Sequence, residues 1–295
     1  MSAQQQTLRY ASAWSAYLDL TKPRIVTMVV VTGAIGFLLG AADDIAPLTL
    51  LCALGGIALT AGGSGALNHY FEADVDARML RTRGRPIPGA AVPPMNALVL
   101  GVSLTLIGLA LLVSRVNLLT AFLALLTTFL YVVVYTPMKR LTWANTLVGA
   151  VPGALPPVGG WTAAAGQLDL GAWVLFAILF LWQMPHFYAI AWIYREDYAR
   201  GGFRMLPVIQ PDGNRTFRQI ICCSALLIPA SLLPTAIGLT SPVYAVGAVL
   251  LGCWFMRAGL ALARSADIVD ARRLLRASVI YLPVLLLLIL IDFAL

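Results

Sequence analysis

The sequence predicts an all-α, polytopic membrane protein: nine transmembrane helices, grouped as two four-helix repeats plus one, around a central cavity open to the cytoplasmic side. Three observations predict it. Sixty per cent of the 295 residues are apolar and only 11% are charged, far below the roughly 25% that a water-facing surface needs. The apolar residues gather into nine runs of about 20, the length of helix that crosses the hydrocarbon core. The cations gather at alternate gaps between those runs.

The runs lie at about 25–42, 48–70, 96–114, 117–135, 144–164, 171–194, 218–238, 242–263 and 276–294. Little remains for a soluble domain. Residues 1–295 therefore read as one membrane domain, with a cytoplasmic N-terminal segment, about 1–20, and two long cytoplasmic loops, about 71–95 and 195–217. The opening stretch, MSAQQQTLRYASAWSAYLDLTKPRI, has no early apolar core and no small-residue cleavage site, so no signal peptide is expected.

Eighteen of the 20 Lys and Arg fall on one side of a nine-span topology. Arg9, Lys22 and Arg24 precede the first run, and Arg78, Arg81, Arg83 and Arg85 follow the second. Lys139 and Arg140 follow the fourth, five arginines from Arg195 to Arg218 follow the sixth, and Arg264 to Arg276 precede the ninth. The positive-inside rule makes that side cytoplasmic, with the N-terminus, and leaves the C-terminus periplasmic or extracellular. The opposite side carries Asp43, Asp44, Asp169 and Asp292, with Arg115 as its one cation. The net charge of +7 is thus a topology signal with some attraction for anionic membrane lipid. It is no nucleic-acid footprint, since no basic domain stands apart. Cys52, Cys222, Cys223 and Cys253 lie inside the runs without CxxC spacing, which suits packing rather than a disulfide or metal site.

Two of the loops resemble each other. NHYFEADVDARMLRTRGRPIP (Asn68–Pro88) follows the second run and PHFYAIAWIYREDYARGGFRMLPV (Pro185–Val208) follows the sixth. Each opens with an amide or imidazole, continues with acids and then arginines, and ends in an apolar-proline stop. Their separation by four spans argues for the repeats, and such repeats commonly hold a site at their interface. In the fifth run, VPGALPPVGGW (Val151–Trp161) crowds prolines and glycines together, which predicts a bent or broken helix. Non-helical backbone survives at membrane depth only against protein or a wet cavity.

Asn68, Glu72 and Asp76 stand four residues apart. On a helix each step drifts by only about 40°, so the three form one stripe about 12 Å long, with Asp74 off it. Such oxygen-bearing side chains suit Mg2+, which takes one or two carboxylates and completes its shell with water and phosphate. The alternative is a solvated helix end in which Glu72 or Asp74 pairs with Arg78. The second loop repeats the mixture with Arg195, Glu196, Asp197, Arg200 and Arg204, and YTPMKRLTWAN (Tyr135–Asn145) adds Lys139 and Arg140. Ionisable groups at a helix end in lipid are functional by default, because each costs a few kcal/mol if it faces hydrocarbon. Acids for a metal, cations for anionic oxygens and an apolar hole beneath describe a site for a polyisoprenoid diphosphate.

At these residues the chain resembles the UbiA superfamily of intramembrane prenyltransferases, whose first motif has the form N-x-x-x-E/D-x-x-x-D. More narrowly, LTKPRI, DxDARMxRTxxRPxP, YTxxKRxTxxN, GALPPVxGW and WQMPHFYAIAWxYREDYxxGGFRMLPV together resemble the haem O synthase (protohaem IX farnesyltransferase) branch, from about Leu20 to Pro207. The resemblance implies transfer of farnesyl from farnesyl diphosphate to the vinyl side chain of haem B, with addition of water, giving haem O. It implies Mg2+ as cofactor, a bacterial inner (plasma) membrane, and haem A synthase or terminal-oxidase assembly factors as partners. It implies Asn68, Glu72 and Asp76 as metal ligands and, with Lys139 and Arg140, as catalytic residues. Lys22, Arg81, Arg85, Tyr135 and Asp197 become contacts to the diphosphate. His186 becomes a candidate haem contact, and so does His69, although it points about 100° from the acid stripe. One departure stands out: where the superfamily's second motif is D-x-x-x-D, this chain reads Tyr194-Arg-Glu-Asp-Tyr198.

Two other readings keep much of the pattern. A prenyltransferase acting on a quinone precursor or chlorophyllide would share the metal motif, though His186 and the tyrosine variant favour haem. A secondary transporter would also use two repeats and a broken fifth span. Against it, the charges cluster at helix ends rather than at span centres.

Overall fold

The computed structural model describes residue 10, residues 12–41 and residues 45–293. Arg9, Asp43 and Asp44, which enter the topology argument, lie outside them. The described residues form nine long helices, numbered here α1 Pro23–Ala41, α2 Pro47–Phe71, α3 Pro94–Arg115, α4 Leu118–Leu141, α5 Asn145–Ala165, α6 Leu170–Ile193, α7 Asn214–Ala236, α8 Pro242–Ser265 and α9 Ile268–Phe293. There is no strand among them. Helix α9 begins earlier than the apolar run suggests, because its charged first turns are helical too, with Arg273 paired to Asp270 at 2.8 Å.

Eight of these helices, not nine, are long and apolar enough to cross a membrane. The exception is α5, at 21 residues long enough but diluted by glycine, proline and threonine. The reason is its position. Most of α5 is buried against α1, α4 and α6, so it has little outer face to make apolar. By contrast α3 exposes Val99, Leu106 and Val113, and α8 exposes Val243, Val246 and Leu250. Apolar rows of that kind belong against lipid.

The expected break in α5 does not occur. The helix runs through Pro152, Pro156 and Pro157, although each proline lacks the N–H that an α-turn uses. Gln183 of α6 reaches into this region, its Nε2 donating to the Ala150 carbonyl at 3.2 Å. Helix α1 presses close on the other side. A Cβ on Gly36 would lie 2.0 Å from the Pro157 carbonyl oxygen, and one on Gly160 only 1.8 Å from that of Gly33. No side chain fits there. In lipid, where burial of apolar surface drives helices together weakly, such backbone contact supplies the packing.

Helix α2 packs along α1 and most extensively along α3, while α6, α7, α8 and α9 form a second group. The cysteines are unpaired, Cys223 buried and Cys222 and Cys253 exposed on the helix exteriors. A short helix, Ala13–Leu20, begins at a capping box on Ser12 and packs Ala16 and Leu20 against Ala66, Ile87 and Val92. The chain then turns at Lys22 into α1. That turn, the ends of α2 and α4 and the loop after α6 meet at one end of the bundle.

Candidate active site

The end of α2 delivers the first polar groups. Asn68 is buried; its Nδ2 donates to Thr136 Oγ1 at 3.0 Å and its Oδ1 accepts from Lys22 Nζ. The helix stops at Phe71, and Glu72 leaves helical geometry at φ −102°, ψ 4°. The regular stripe expected for Asn68, Glu72 and Asp76 is therefore interrupted. A single turn, Ala73–Asp76, nonetheless returns Asp76 to the same cavity. All three line a hollow of about 500 Å³, mouth included, together with Lys22, Arg81, Arg85, Lys139, Tyr131, Tyr135 and Tyr198.

Each cavity carboxylate is met by a cation. Glu72 Oε1 accepts from Lys139 Nζ at 2.6 Å. Asp76, wholly buried, accepts Arg85 Nη1 on both oxygens, at 2.9 and 2.7 Å. Burial is the largest influence on both and pushes each pKa upward. At Glu72 the combined charges of Lys139, Lys22 and Arg85 outweigh burial and hold the carboxyl below its ordinary value. At Asp76 burial outweighs Arg85, and the pKa is raised. Local pairing with Arg78 holds for Asp74 alone, at 3.9 Å on the surface.

Backbone irregularity aims the lysines. Lys22 takes φ 54°, a left-handed conformation that residues with side chains seldom adopt. From there its Nζ reaches Asn68 and, at 3.1 Å, the Tyr131 hydroxyl. Within α4, Leu130–Tyr135 forms a π-turn, the kind of bulge found often at functional sites. Thr136 Oγ1 donates back to the Tyr131 carbonyl at 2.9 Å. Beyond it Lys139 sits 4.6 Å from the centre of the Tyr135 ring and turns inward to Glu72. Arg140 does not join it. Successive helical residues diverge by about 100°, and Arg140 pairs outside with Asp74 at 2.5 Å.

The loop after α6 contributes Tyr198, Phe203 and Met205 to the cavity wall. Asp197, expected at the diphosphate, lies behind the cavity wall. It is buried but faces the first loop, Oδ1 accepting the Leu80 N–H at 2.8 Å and Oδ2 the Arg81 N–H at 3.1 Å. Irregular backbone carries amide donors that no helix satisfies, and a carboxylate meets two of them strongly. Asp197 is not among the residues lining the cavity, and it clamps one loop to the other. The histidines also fall elsewhere. His186 Nδ1 is hydrogen-bonded with Ser278 Oγ at 2.7 Å and its ring stacks on Trp182, at the contact of α6 with α9. His69 is buried with Nδ1 unpartnered. Neither lines the cavity.

Sequence reasoning missed Tyr131, Thr136, Tyr198 and Phe203 as site residues. The spacing of Tyr131 and Tyr135 in YVVVY was an available signal; their rings lie 5.7 Å apart. Thr136 had none.

Beneath the polar cavity lies a second hollow, of about 380 Å³ with its open side included, walled by Val29 of α1, Ile57, Thr60 and Ser64 of α2, Leu123, Thr127 and Thr128 of α4, and Leu155 and Gly159 of α5. Its hydroxyls are occupied. Thr60 donates to the Gly56 carbonyl at 3.0 Å, Thr127 to that of Leu123 at 2.7 Å, and Ser64 bonds Thr128 at 2.9 Å. Methyl and aliphatic groups are left to line the space. From Asn68 to Ile57 is eleven residues of α2, about 16 Å of depth.

Among the described residues no group of three or more His, Cys, Asp or Glu could hold a metal ion. Two carboxylates and an amide do suit a hard ion that takes the rest of its shell from water and phosphate, as Mg2+ does. They do not suit zinc, which favours nitrogen and sulfur ligands.

A model of the UbiA prenyltransferase family matches residues 29–282. The protoheme IX farnesyltransferase of Solibacter usitatus (strain Ellin6076) is 47% identical over 285 residues, covering 94% of this chain and 98% of the relative. That of Salinibacter ruber (strain DSM 13855 / M31) is 48% identical over 276 residues, covering 94% and 98%. Among solved structures, a digeranylgeranylglyceryl phosphate synthase aligns with a TM-score of 0.78 at 17% identity, covering 96% of this chain and 99% of that one. A UbiA homolog from Archaeoglobus fulgidus bound to GPP and Mg2+ aligns with a TM-score of 0.69 at 14% identity, covering 95% and 100%.

Proposed function

Since this chain belongs to the UbiA prenyltransferase family, we propose that it transfers the farnesyl group of farnesyl diphosphate to the vinyl side chain of haem B, with addition of water, releasing diphosphate and giving haem O. The observation that carries the reading is the two-tier site: four cations and two carboxylates around a polar cavity, above an apolar one. The choice of acceptor is supported by near-full-length identity of 47–48% to protoheme IX farnesyltransferases.

Lys22, Lys139, Arg81 and Arg85 bind the diphosphate oxygens, and the farnesyl chain descends between α1, α2, α4 and α5. Glu72 and Asp76, with Asn68 beside them, would hold Mg2+, which supplies further positive charge against the diphosphate. The C1–O bond breaks and both its electrons leave with the diphosphate. Preorganised cations stabilise that growing charge most in a site shielded from water. The apolar tier keeps water from the allylic cation until the vinyl carbon attacks it. Water then adds to the resulting cation and loses a proton. The cation bias of the loops supports a cytoplasmic cavity mouth and N-terminus, and the similarity to relatives from Solibacter usitatus and Salinibacter ruber supports a bacterial inner membrane.

Mass spectrometry of haem recovered from cells making the protein tests the reading. A gain equal to farnesyl plus water is expected, and Glu72→Gln should abolish it. Haem of unchanged mass, with farnesyl diphosphate supplied, would overturn the assignment; prenylation of an added quinone precursor instead would move the acceptor.

A further inference from the structure

The wall contributed by the loop after α6 holds no carboxylate free for a metal. Both oxygens of Asp197 accept backbone N–H groups, and Glu196 is exposed and pairs with Arg200 at 3.7 Å. What this wall does hold is a guanidinium. The Arg81 carbon Cζ lies 5.0 Å from the centre of the Tyr194 ring and 5.8 Å from that of Tyr198. Both distances fall within the range in which an aromatic face attracts a cation. The Arg81 N–H is fixed by Asp197 at 3.1 Å, and Arg81 and Tyr198 both line the cavity.

We infer that Tyr194, Tyr198 and Asp197 form a seat for Arg81, and that this seated guanidinium, rather than a metal ion, is the positive charge this wall offers to diphosphate. The assignment rests on the diphosphate reading given above and deepens it. A planar guanidinium can lie on the rings and still present N–H groups to phosphate oxygens, which an ammonium cannot do as well. The exposed position of Arg81 at the mouth would otherwise leave its long side chain free among many rotamers. The rings and the clamp remove that freedom before the ligand arrives. Asp197 is thus a positioning residue, acting through Arg81.

The test is binding rather than turnover. Full-length protein in detergent is titrated with inorganic pyrophosphate in the presence of Mg2+ by calorimetry, and bound metal is counted after equilibrium dialysis. Wild type should bind one Mg2+ with each pyrophosphate. The double variant Tyr194→Leu/Tyr198→Leu should bind pyrophosphate roughly five- to thirtyfold more weakly at an unchanged metal count. Tyr194→Phe/Tyr198→Phe, which keeps the ring faces, should stay near wild type. Arg81→Gln, at an exposed site where folding is not at stake, should weaken binding at least as much as the leucine pair. Unchanged affinity in Arg81→Gln or in a folded leucine variant would overturn the seat, as would two Mg2+ per pyrophosphate in wild type. Failure of wild type to bind pyrophosphate at all would sink the diphosphate reading, and the seat with it.

Discussion

Two loops of similar make-up, 72–92 and 194–209, border the same cavity and use their acids in opposite ways. The first directs Glu72 and Asp76 inward, where Lys139 and Arg85 meet them. The second directs its buried acid, Asp197, at the backbone of the first. A carboxylate out of water persists only where something meets it. The partner then decides the task. Lys139 and Arg85 can swing to an arriving phosphate and leave their acids available. Asp197, although Arg200 also donates to it at 3.0 Å, is held by two peptide N–H groups that are fixed and make it part of the scaffold.

The sharpest way to break this distinction is to remove each charge in turn. Glu72→Gln or Asp76→Asn should lower haem farnesylation in isolated membranes by at least about 100-fold, and Asp197→Asn by only about tenfold. Equal losses would mean that the two loops do the same work. Next in size is a stability effect. Lys139→Ala strands Glu72 in a buried site, which costs about 3–5 kcal/mol and should appear as a lowered Tm in detergent. Pairing Glu72→Gln with Lys139→Met should restore much of the Tm and none of the turnover.

Acid titration gives a smaller signal. The Glu72 pKa lies below its ordinary value of 4.5, so the unfolded chain takes up a proton first as pH falls. Its stabilising contribution is complete above about pH 4.5 and declines below it. Asp76 is raised and acts in the opposite sense. The Tm of wild type should therefore fall more steeply below pH 4.5 than that of Glu72→Gln; parallel profiles would remove the Glu72 ion pair from the account. Smallest of all is Arg140→Ala. An exposed pair such as Arg140–Asp74 contributes about 1 kcal/mol or less, so Tm and turnover should both stay near wild type. A large loss would return Arg140 to the site.

The spans and the acid-bearing end of α2 were legible in the sequence because hydropathy and spacing are local properties. Asn68, Glu72 and Asp76 do share a cavity, although the helix stops among them. The fate of Asp197 was hidden because its backbone partners lie 117 and 116 residues away, and composition alone does not separate a clamp from a ligand. The continuity of α5 was hidden likewise. Proline and glycine predict a break for an isolated helix, but here the glycines admit α1, whose contact holds the helix in place. Lys139 and Arg140 looked interchangeable because the π-turn that sorts them has no sequence signature.

That π-turn makes the site sensitive to chain length in a way that substitutions cannot probe. It holds one residue more than a regular helix needs over the same rise. Deleting any one residue between 130 and 135 would remove that surplus, letting α4 close up as ordinary helix with everything after it still in place. A deletion at 136–138, in regular helix with no residue to spare, would instead bring Arg140 into the inner slot, so that a guanidinium would confront Glu72. The identity of the cation beside that acid is thus set by a count of residues as much as by their kind.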